Sequence, residues 1–214
     1  MTAQNLPQTN KLTNMPENQS QPRYLSDLII DYLELLGVEY VFGVPGGQIL
    51  PFLEALDRSE RRGGPRCVFS RHETGAAFMA DGYARETGKI GVCFATTGPG
   101  ITNLITGIAS AYAEHIPLLI ITAQVLVTHF GRGAGQDSSP DYIDTNLMLD
   151  QCTSYTTVVT NPNQLEYKLV AALKNAMQSS PGPAHLNVPV DIFRSPAPPA
   201  LSHPNFQISA FCQT

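Results

Sequence analysis

The chain has 214 residues and a formal net charge of -5, and 14% of its residues are charged. An average soluble protein has about 25% charged residues, so this chain is poor in charge. The length fits one domain with tails, because domains commonly contain about 100–200 residues. The longest basic block is the pair Arg61-Arg62, which excludes nucleic acid and anionic membranes as expected partners. A small-molecule partner is favoured instead.

The cysteines indicate a reducing environment. Cys67, Cys93, Cys152 and Cys212 are far apart and form no metal-ligand spacing, and two of them lie in apolar runs. No apolar run reaches about 18 residues, and the N-terminus lacks the charged-then-apolar layout of a signal peptide. We therefore expect a cytoplasmic protein.

In chain order, a polar extension is followed by alternating helices and strands. Residues 1–23 are rich in Asn, Gln, Thr and Pro, and they are predicted to be flexible because they bury too little apolar surface to offset the entropy of ordering. A first helix is predicted from Leu25 to Leu36, with Ser26 as its cap and Gly37 at its end. Strands are then predicted at 40–42, 66–70, 90–96, 117–123, 156–160 and 184–188, and helices at 49–56, 73–85, 101–113 and 164–179.

This alternation predicts an α/β domain. Strands that alternate with long helices form βαβ units, so the expected fold is a doubly wound, mostly parallel sheet with helices on both faces. Seven prolines between Pro181 and Pro204 predict an extended linker. The domain is therefore placed at 24–193, and residues 194–214 are expected to be a Pro-rich linker and the truncated start of a following domain.

Three glycine-rich turns, at 43–47, 96–100 and 131–135, each follow a predicted strand. Open α/β sheets bind ligands at the carboxyl ends of their strands, and glycine lets the backbone approach a flat ring closely. Neither a phosphate-binding P-loop nor a dinucleotide fingerprint is present. Any one of these turns, taken alone, is more often an ordinary strand-to-helix connection.

Glu73 begins a predicted helix whose next turns contain Gly75, Ala76, Ala77 and Ala80. An acidic residue that complements a helix dipole is common and could account for the glutamate alone. It does not account for the small-residue face, which suits close packing against another layer, or for the proline-glycine turns on either side in the sequence.

Several motifs occur in order along the chain. His72-Glu73 is followed by small residues and by Ala-Asp-Gly-Tyr-Ala-Arg85, with Gly43-Val-Pro-Gly-Gly47 upstream and Thr97-Gly-Pro-Gly-Ile-Thr-Asn103 downstream. In this order and spacing the chain, over residues 24–193, resembles the N-terminal domain of the acetolactate synthase family. That family belongs to the thiamine-diphosphate-dependent decarboxylases and carboligases.

The resemblance implies a role for each motif residue. In this family a buried glutamate hydrogen-bonds N1′ of the cofactor's aminopyrimidine ring and favours the tautomer that removes the C2 proton; Glu73 matches it. Gln136 resembles a glutamine near the reacting centre, although a solvated loop residue explains it equally well. His72 and His115 are interpreted as structural. By the same match, the pyrimidine-binding residues would be Pro45, Gly46, Glu73, Thr96, Pro99, Gly100 and Asn103.

The chain also departs from the family pattern. Gly135-Gln136-Asp137 stands where acetolactate synthases usually have Phe-Gln-Glu, Glu114 where an aspartate is usual, and Gln48 where a small residue is common. The Gly-Asp-Gly motif of the diphosphate domain, with its Mg²⁺-binding asparagine, does not occur. Ala80-Asp81-Gly82 with Asn103 imitates it but lacks the first glycine and lies in a helix, so no metal ligand is assigned. We expect Mg²⁺ only through a partner diphosphate domain, and FAD binding stays undetermined.

The implied reaction is decarboxylation of a 2-keto acid such as pyruvate and ligation to a second keto acid, as in branched-chain amino acid biosynthesis. The chain alone is expected to be inactive. It would need a diphosphate domain, either from a partner or from the missing C-terminal part, and would act as a homodimer or in a complex with a diphosphate-domain protein. That assembly is expected to bury the Ala76 and Ala80 side of the glutamate helix. The alternative is a catalytically inactive, truncated homologue that serves as a dimerisation or regulatory domain. A third alternative, an unrelated dinucleotide-binding domain, is disfavoured because the chain lacks the glycine fingerprint of such domains.

Overall fold

The computed structural model describes residues 22–203, so all but the last two residues of the predicted N-terminal extension lie outside them, as do residues 204–214. The helices are α1 (Leu25–Leu35), α2 (Leu50–Glu60), α3 (Glu73–Thr87), α4 (Pro99–Ala113), α5 (Thr145–Asp150), α6 (Leu165–Ala176) and α7 (Val190–Phe193). The strands are β1 (Tyr40–Gly43), β2 (Arg66–Phe69), β3 (Gly91–Ala95), β4 (Leu118–Gln124), β5 (Tyr155–Val158) and β6 (Pro183–Pro189). Two short 3₁₀ turns are Val127–His129 and Pro162–Gln164.

The six strands form one sheet in the order β2-β1-β3-β4-β6-β5, and every neighbouring pair is parallel. All residues of β3, β4 and β6 are buried, as expected for parallel strands covered on both faces. The predicted doubly wound α/β fold is confirmed.

Alternate side chains of each strand enter two separate apolar layers. In β3, Val92 and Phe94 pack with α1, α2 and α6, whereas Cys93 and Ala95 pack with α3, α4 and α5. α2 and α6 connect strands in one direction across the sheet and lie on one face. α3, α4 and α5 connect strands in the other direction and lie on the opposite face. This is the arrangement that right-handed crossovers require.

The direction of winding reverses between β1 and β3. β1 pairs with β2 on one side and with β3 on the other, so α2 and α3 leave the sheet on opposite faces. Loops that diverge at such a reversal open a crevice at the carboxyl ends of the strands. The turns 43–47 and 96–100 lie at this crevice.

Element boundaries differ from the sequence predictions in a few places. Ser26 is buried in the first turn of α1 and is not its cap; the cap is Tyr24, whose backbone N–H donates to the Asp27 carboxylate at 2.8 Å. The predicted end at Gly37 is confirmed, since its φ of 66° is one that glycine adopts without strain. α4 begins at Pro99, because proline suits the first turn of a helix.

Two further differences concern regions after β4. α5 has no counterpart among the predicted helices, because its six residues are too few to show helical periodicity. Two of the prolines assigned to the linker, Pro183 and Pro189, are the end residues of the buried strand β6. Proline at a strand terminus costs few ladder hydrogen bonds.

The small-residue face of α3 is buried within the chain. Ala76, Ala77 and Ala80 are fully buried, and a Cβ added to Gly107 of α4 would lie 2.5 Å from the Cβ of Ala77. The predicted close packing against another layer is confirmed, and that layer is α4. The expectation that a partner subunit buries Ala76 and Ala80 is therefore wrong, because no surface remains there to cover.

The chain after α7 runs back along α1 and α6. The backbone N–H of Leu25 donates to the Ser195 carbonyl at 2.9 Å, and that of Ala197 donates to the Arg23 carbonyl at 3.0 Å. Further on, Ser202 donates from its backbone N–H and its hydroxyl to the Glu166 carboxylate, both at 2.6 Å. The domain limits 24–193 and the linker at 194–214 stay predictions.

Candidate functional site

Glu73 is the first residue of α3, directly after the turn that leaves β2. The preceding His72 has extended backbone angles and caps the helix, since its Nδ1 accepts the backbone N–H of Thr74 at 3.2 Å. His72 thus has the structural role predicted for it. The Glu73 side chain is buried at the helix N-terminus, where the helix dipole favours a negative charge.

Asn103 of α4 fixes the orientation of the Glu73 carboxylate. Its Nδ2 donates to Glu73 Oε2 at 3.0 Å, and the Thr74 hydroxyl donates to the Asn103 backbone carbonyl. These two bonds join the first turn of α3 to the second turn of α4. The other carboxylate oxygen, Oε1, accepts no hydrogen bond from any residue between 22 and 203, so it is available to a ligand.

Two glycines bring the neighbouring turns close to this carboxylate. A Cβ added to Gly100 would lie 3.0 Å from Thr96 Cγ2 and 3.6 Å from Glu73 Oε1. A Cβ added to Gly46 would lie 2.4 Å from the Cβ of Thr96. The two proline-glycine turns are therefore packed on each other through Thr96, and a side chain at Gly46 would force them apart.

The remaining predicted cofactor-binding residues lie at the edge of this arrangement. Pro99 is exposed at the start of α4, and Pro45 is exposed in the turn after β1. The structure thus brings Glu73, Asn103 and Gly100 into one cluster, continues it through Thr96 and Gly46, and leaves the two prolines on its rim.

Gln136 lies beside the same β3–α4 turn. Its side chain is exposed, its φ is 64°, and its carbonyl oxygen would be 3.0 Å from a Cβ added to Gly98. The Thr97 hydroxyl donates to that carbonyl at 3.1 Å. The loop that contains Gln136 is therefore seated on the turn that leads to Gly100.

Four polar residues of this region were assigned no role by the sequence analysis. Thr97, Gln124 and Ser138 are buried and hydrogen-bonded to one another. Asp137 holds its own loop, because Oδ2 accepts the N–H of Gly131 and Oδ1 that of Ser139, both at 2.9 Å. The available signal was Gln124, a polar residue that follows the apolar run of β4.

Titratable side chains away from Glu73 have other partners or environments in the described part of the chain. Among residues 22–203 no group of three or more His, Cys, Asp or Glu side chains is placed to hold a metal ion. Asp81 pairs with Arg85 at 3.0 Å, while Asn103 bonds Glu73, so these two side chains serve different partners. Burial raises the pKa of the Cys93 thiol to about 12, which keeps it protonated and unreactive.

The described part of the chain has no helix that is both long and apolar enough to cross a membrane. Cys67, Cys93 and Cys152 are free thiols.

Comparison with known proteins identifies the family. Residues 23–145 match the family described as "Thiamine pyrophosphate enzyme, N-terminal TPP binding domain". The chain is 42% identical over 164 residues to the acetolactate synthase of Arthrospira platensis, covering 77% of this chain and 28% of that protein. It is 41% identical over 164 residues to the acetolactate synthase isozyme 2 large subunit of Escherichia coli, covering 77% of this chain and 28% of that protein.

A further relative has a different printed activity. The protein named "Probable 2-ketoarginine decarboxylase" of Pseudomonas aeruginosa is 38% identical over 168 residues, which are 78% of this chain and 29% of that protein. The chain thus spans less than a third of the length of the curated relatives it matches. It belongs to the thiamine pyrophosphate enzyme family, as an N-terminal TPP-binding domain similar to that of acetolactate synthase large subunits.

Proposed function

We propose that residues 24–193 bind the aminopyrimidine half of thiamine diphosphate, the same compound as thiamine pyrophosphate, with Glu73 hydrogen-bonded to a ring nitrogen. The observation that supports this most is the Glu73 carboxylate itself. It lies at the reversal of the sheet, one oxygen is bonded by Asn103, and the other accepts no hydrogen bond within residues 22–203.

The donor set around Glu73 fits such a ring. Asn103 Nδ2 can only donate, so Oε2 acts as an acceptor and a proton on Glu73 belongs on Oε1, the oxygen nearest Gly100. That is the arrangement needed to give a proton to, or share it with, a heterocyclic nitrogen. The glycines at 46 and 100 would let backbone groups reach the flat faces and edges of a ring.

Thiamine diphosphate, when bound, supplies a carbon nucleophile that adds to the carbonyl of a 2-keto acid. The part of the chemistry assigned to this chain is general acid–base support from Glu73, which holds and returns one proton at Oε1. Gln136 would donate its side-chain amide to a substrate oxygen, since that side chain is exposed next to the β3–α4 turn.

The substrate proposal follows the relatives. Two are named acetolactate synthases and one a 2-ketoarginine decarboxylase, so 2-keto acids are the shared class. We assign decarboxylation followed by carboligation, as in branched-chain amino acid biosynthesis, to the complete enzyme. The compartment assigned is the cytoplasm, where the free thiols at 67, 93 and 152 would stay reduced.

The diphosphate, Mg²⁺ and any FAD would be held outside this domain. We place a partner diphosphate domain against the outward face of α3 and α4. The residues of this face are uncharged over most of the length of the two helices. These outward residues are Gly75, Phe78, Gly82, Thr102, Thr106 and Ala109. Phe78 is 44% exposed there, a large apolar group for a second copy or a separate diphosphate-domain protein to cover.

The test uses a chimera in which residues 24–193 replace the matching segment of the Arthrospira platensis acetolactate synthase. Glu73→Gln should keep the fold and most of the cofactor affinity, because diphosphate and Mg²⁺ are held elsewhere. Hydrogen–deuterium exchange at C2 of the bound cofactor, followed by quenching and NMR, should slow by roughly 10²–10⁴-fold. Glu86→Gln, an exposed change on the same helix, serves as the matched control and should exchange like the parent.

Equal C2 exchange rates in the Glu73→Gln chimera and its parent would remove Glu73 from the chemistry. Loss of cofactor binding together with slow exchange would mean that Glu73 mainly holds the ring. A folded parent chimera that binds the cofactor but produces nothing from pyruvate or other 2-keto acids would favour the alternative of an inactive dimerisation or regulatory domain.

A further inference from the structure

Three buried polar side chains connect the loops that follow β3 and β4. Thr97 lies in the β3–α4 turn, Gln124 is the last residue of β4, and Ser138 lies in the long loop that follows β4. Each is at most 1% exposed. Buried polar groups of this kind must be bonded to one another to be tolerated, and these are.

Counting protons gives this network a direction. Gln124 Oε1 accepts the N–H of Val125 at 2.9 Å, which fixes the amide so that its Nε2 donates to Ser138 Oγ at 2.9 Å. Ser138 then donates its hydroxyl proton to Thr97 Oγ1, 2.9 Å away. Thr97 has one proton for Gln124 Oε1 at 2.9 Å and the Gln136 carbonyl at 3.1 Å. Gln124 Oε1 has two lone pairs, and the backbone N–H groups of Val125 at 2.9 Å and Ser138 at 3.4 Å already donate to it, so that proton goes to Gln136.

The receiving residue has a conformation that needs support. Gln136 has a φ of 64°, a region that side-chain-bearing residues seldom occupy. Its backbone packs on Gly98, whose φ is also 64° and where an added Cβ would lie 3.2 Å from Gln136 Cβ. The positive φ of Gln136 is therefore maintained by the surrounding hydrogen bonds and packing rather than by the residue's own conformational preference.

We propose that the buried Thr97 hydroxyl is a positioning group that holds the 131–138 loop in the conformation presenting Gln136 to the substrate. This rests on the proposed function above, in which Gln136 contacts a 2-keto acid. Thr97 itself touches no reacting atom. Without its hydroxyl the Gln136 carbonyl loses its donor, and the loop can relax to an ordinary negative φ that turns the side chain elsewhere.

Two steps of the reaction should respond differently to loss of the Thr97 hydroxyl. Glu73 is oriented by Asn103, not by Thr97, so proton exchange at C2 should not depend on the Thr97 hydroxyl. Steps in which Gln136 meets the substrate should depend on it. A merely structural role for Thr97 would weaken both steps together.

The test compares Thr97→Val, which keeps the shape and loses the hydroxyl, with Thr97→Ser, which keeps the hydroxyl. In the chain itself, amide hydrogen exchange of residues 131–139 should rise at least tenfold in Thr97→Val and return near the parent rate in Thr97→Ser. In the chimera, Thr97→Val should lower kcat/KM for the 2-keto acid at least tenfold while C2 exchange of the cofactor stays unchanged. Combined with Gln136→Ala, Thr97→Val should cause no additional loss.

Unchanged amide exchange in Thr97→Val would overturn the proposal, as would a Thr97→Ser variant that fails to recover. A loss from Thr97→Val that adds fully to that of Gln136→Ala would also overturn it, since the two residues would then act separately. The amide-exchange measurement does not involve cofactor. It therefore distinguishes a failed network from a failed assignment of the domain, which the Glu73→Gln comparison reports.

Discussion

At the scale of single residues, the site depends on one hydrogen bond between two helices. Asn103 and Glu73 are 30 positions apart in sequence, yet Asn103 Nδ2 lies 3.0 Å from Glu73 Oε2. The bond forms because α3 and α4 start at the same end of the sheet and pack side by side on one face. Because Oε2 accepts the Asn103 amide N–H, Glu73 can carry a proton on Oε1 without losing that hydrogen bond.

Replacing Asn103 by Ala should therefore disturb Glu73 without removing it. A hydrogen bond to a charged group contributes about 1.5–3 kcal/mol, so C2 exchange in the chimera should slow by roughly 10–100-fold. NMR exchange kinetics of the bound cofactor measure this. Asn163→Ala, the same substitution at an exposed position of the Pro162–Gln164 turn, is the control and should change nothing. An Asn103→Ala chimera as fast as the parent would show that the carboxylate is oriented by something else.

The family resemblance of the motifs was sufficient to name Glu73, Gly46, Gly100, Thr96 and Asn103 as candidate site residues, and the structure brings these five together. It was sufficient because each lies in a motif next to a strand end, and the carboxyl ends of parallel strands meet at one edge. The buried partners of the loop after β4 could not be named in this way. Thr97 and Ser138 are common residues in turns, and only the fold shows that they lie within bonding distance of Gln124.

At the scale of secondary-structure elements, α3 and α4 pack more closely than side chains usually allow. Gly107 of α4 faces Ala77 of α3, and a Cβ added to Gly107 would lie 2.5 Å from the Ala77 Cβ and 3.3 Å from its carbonyl carbon. Both neighbours belong to α3 itself, so a longer residue at 107 would push the helices apart. The same packing positions Glu73 relative to Asn103.

Gly107→Ala should therefore destabilise the domain although alanine is the better helix former. Alanine gains about 1 kcal/mol over glycine in a helix, but overpacking a tight contact costs about 1–3 kcal/mol, so the expected net change is a loss of up to about 2 kcal/mol. Urea unfolding followed by circular dichroism measures it.

The matched control is Gly82→Ala on α3, where an added Cβ meets nothing within 4 Å. That change should stabilise the domain by about 0.4–1 kcal/mol. If the two substitutions alter the unfolding free energy equally, the close approach of α3 and α4 does not limit the residue at 107.

The order and type of the strands and of the longer helices could be predicted from the sequence, whereas the short helices α5 and α7 and several element ends could not. Alternating apolar strands and long helices predicted every strand of the sheet, because hydrophobic periodicity reports which faces are buried. α2 continues to Glu60, and the prediction stopped at Leu56 because residues 57–60 are all polar and show no apolar periodicity. The strand order could not be predicted, because it depends on which edge each crossover joins.

At the scale of the whole molecule, a buried histidine joins three strands of the sheet. His185 of β6 is fully buried; its Nε2 lies 2.7 Å from the Thr122 hydroxyl of β4, and its Nδ1 lies 2.7 Å from the Thr156 hydroxyl of β5. A neutral imidazole in this position donates from one ring nitrogen and accepts at the other. Burial lowers the pKa of His185 from 6.5 to about 3.

This predicts that the domain loses stability as the pH falls below about 6.5. Unfolded His185 takes up a proton below its ordinary pKa of 6.5, whereas folded His185 stays neutral down to about pH 3. Protonation therefore favours the unfolded chain throughout that window, at up to 1.36 kcal/mol per pH unit, and the loss from this group between pH 7 and pH 5 is about 2 kcal/mol. His185→Gln keeps one donor and one acceptor but takes up no proton there, so the stability difference between parent and variant should shrink by about 2 kcal/mol over the same interval. Urea unfolding of both proteins at pH 7, 6 and 5 measures this difference, in which the other titrating groups cancel. If the difference in unfolding free energy is the same at all three pH values, the ring is not neutral in the folded protein and the three strands are joined in some other way.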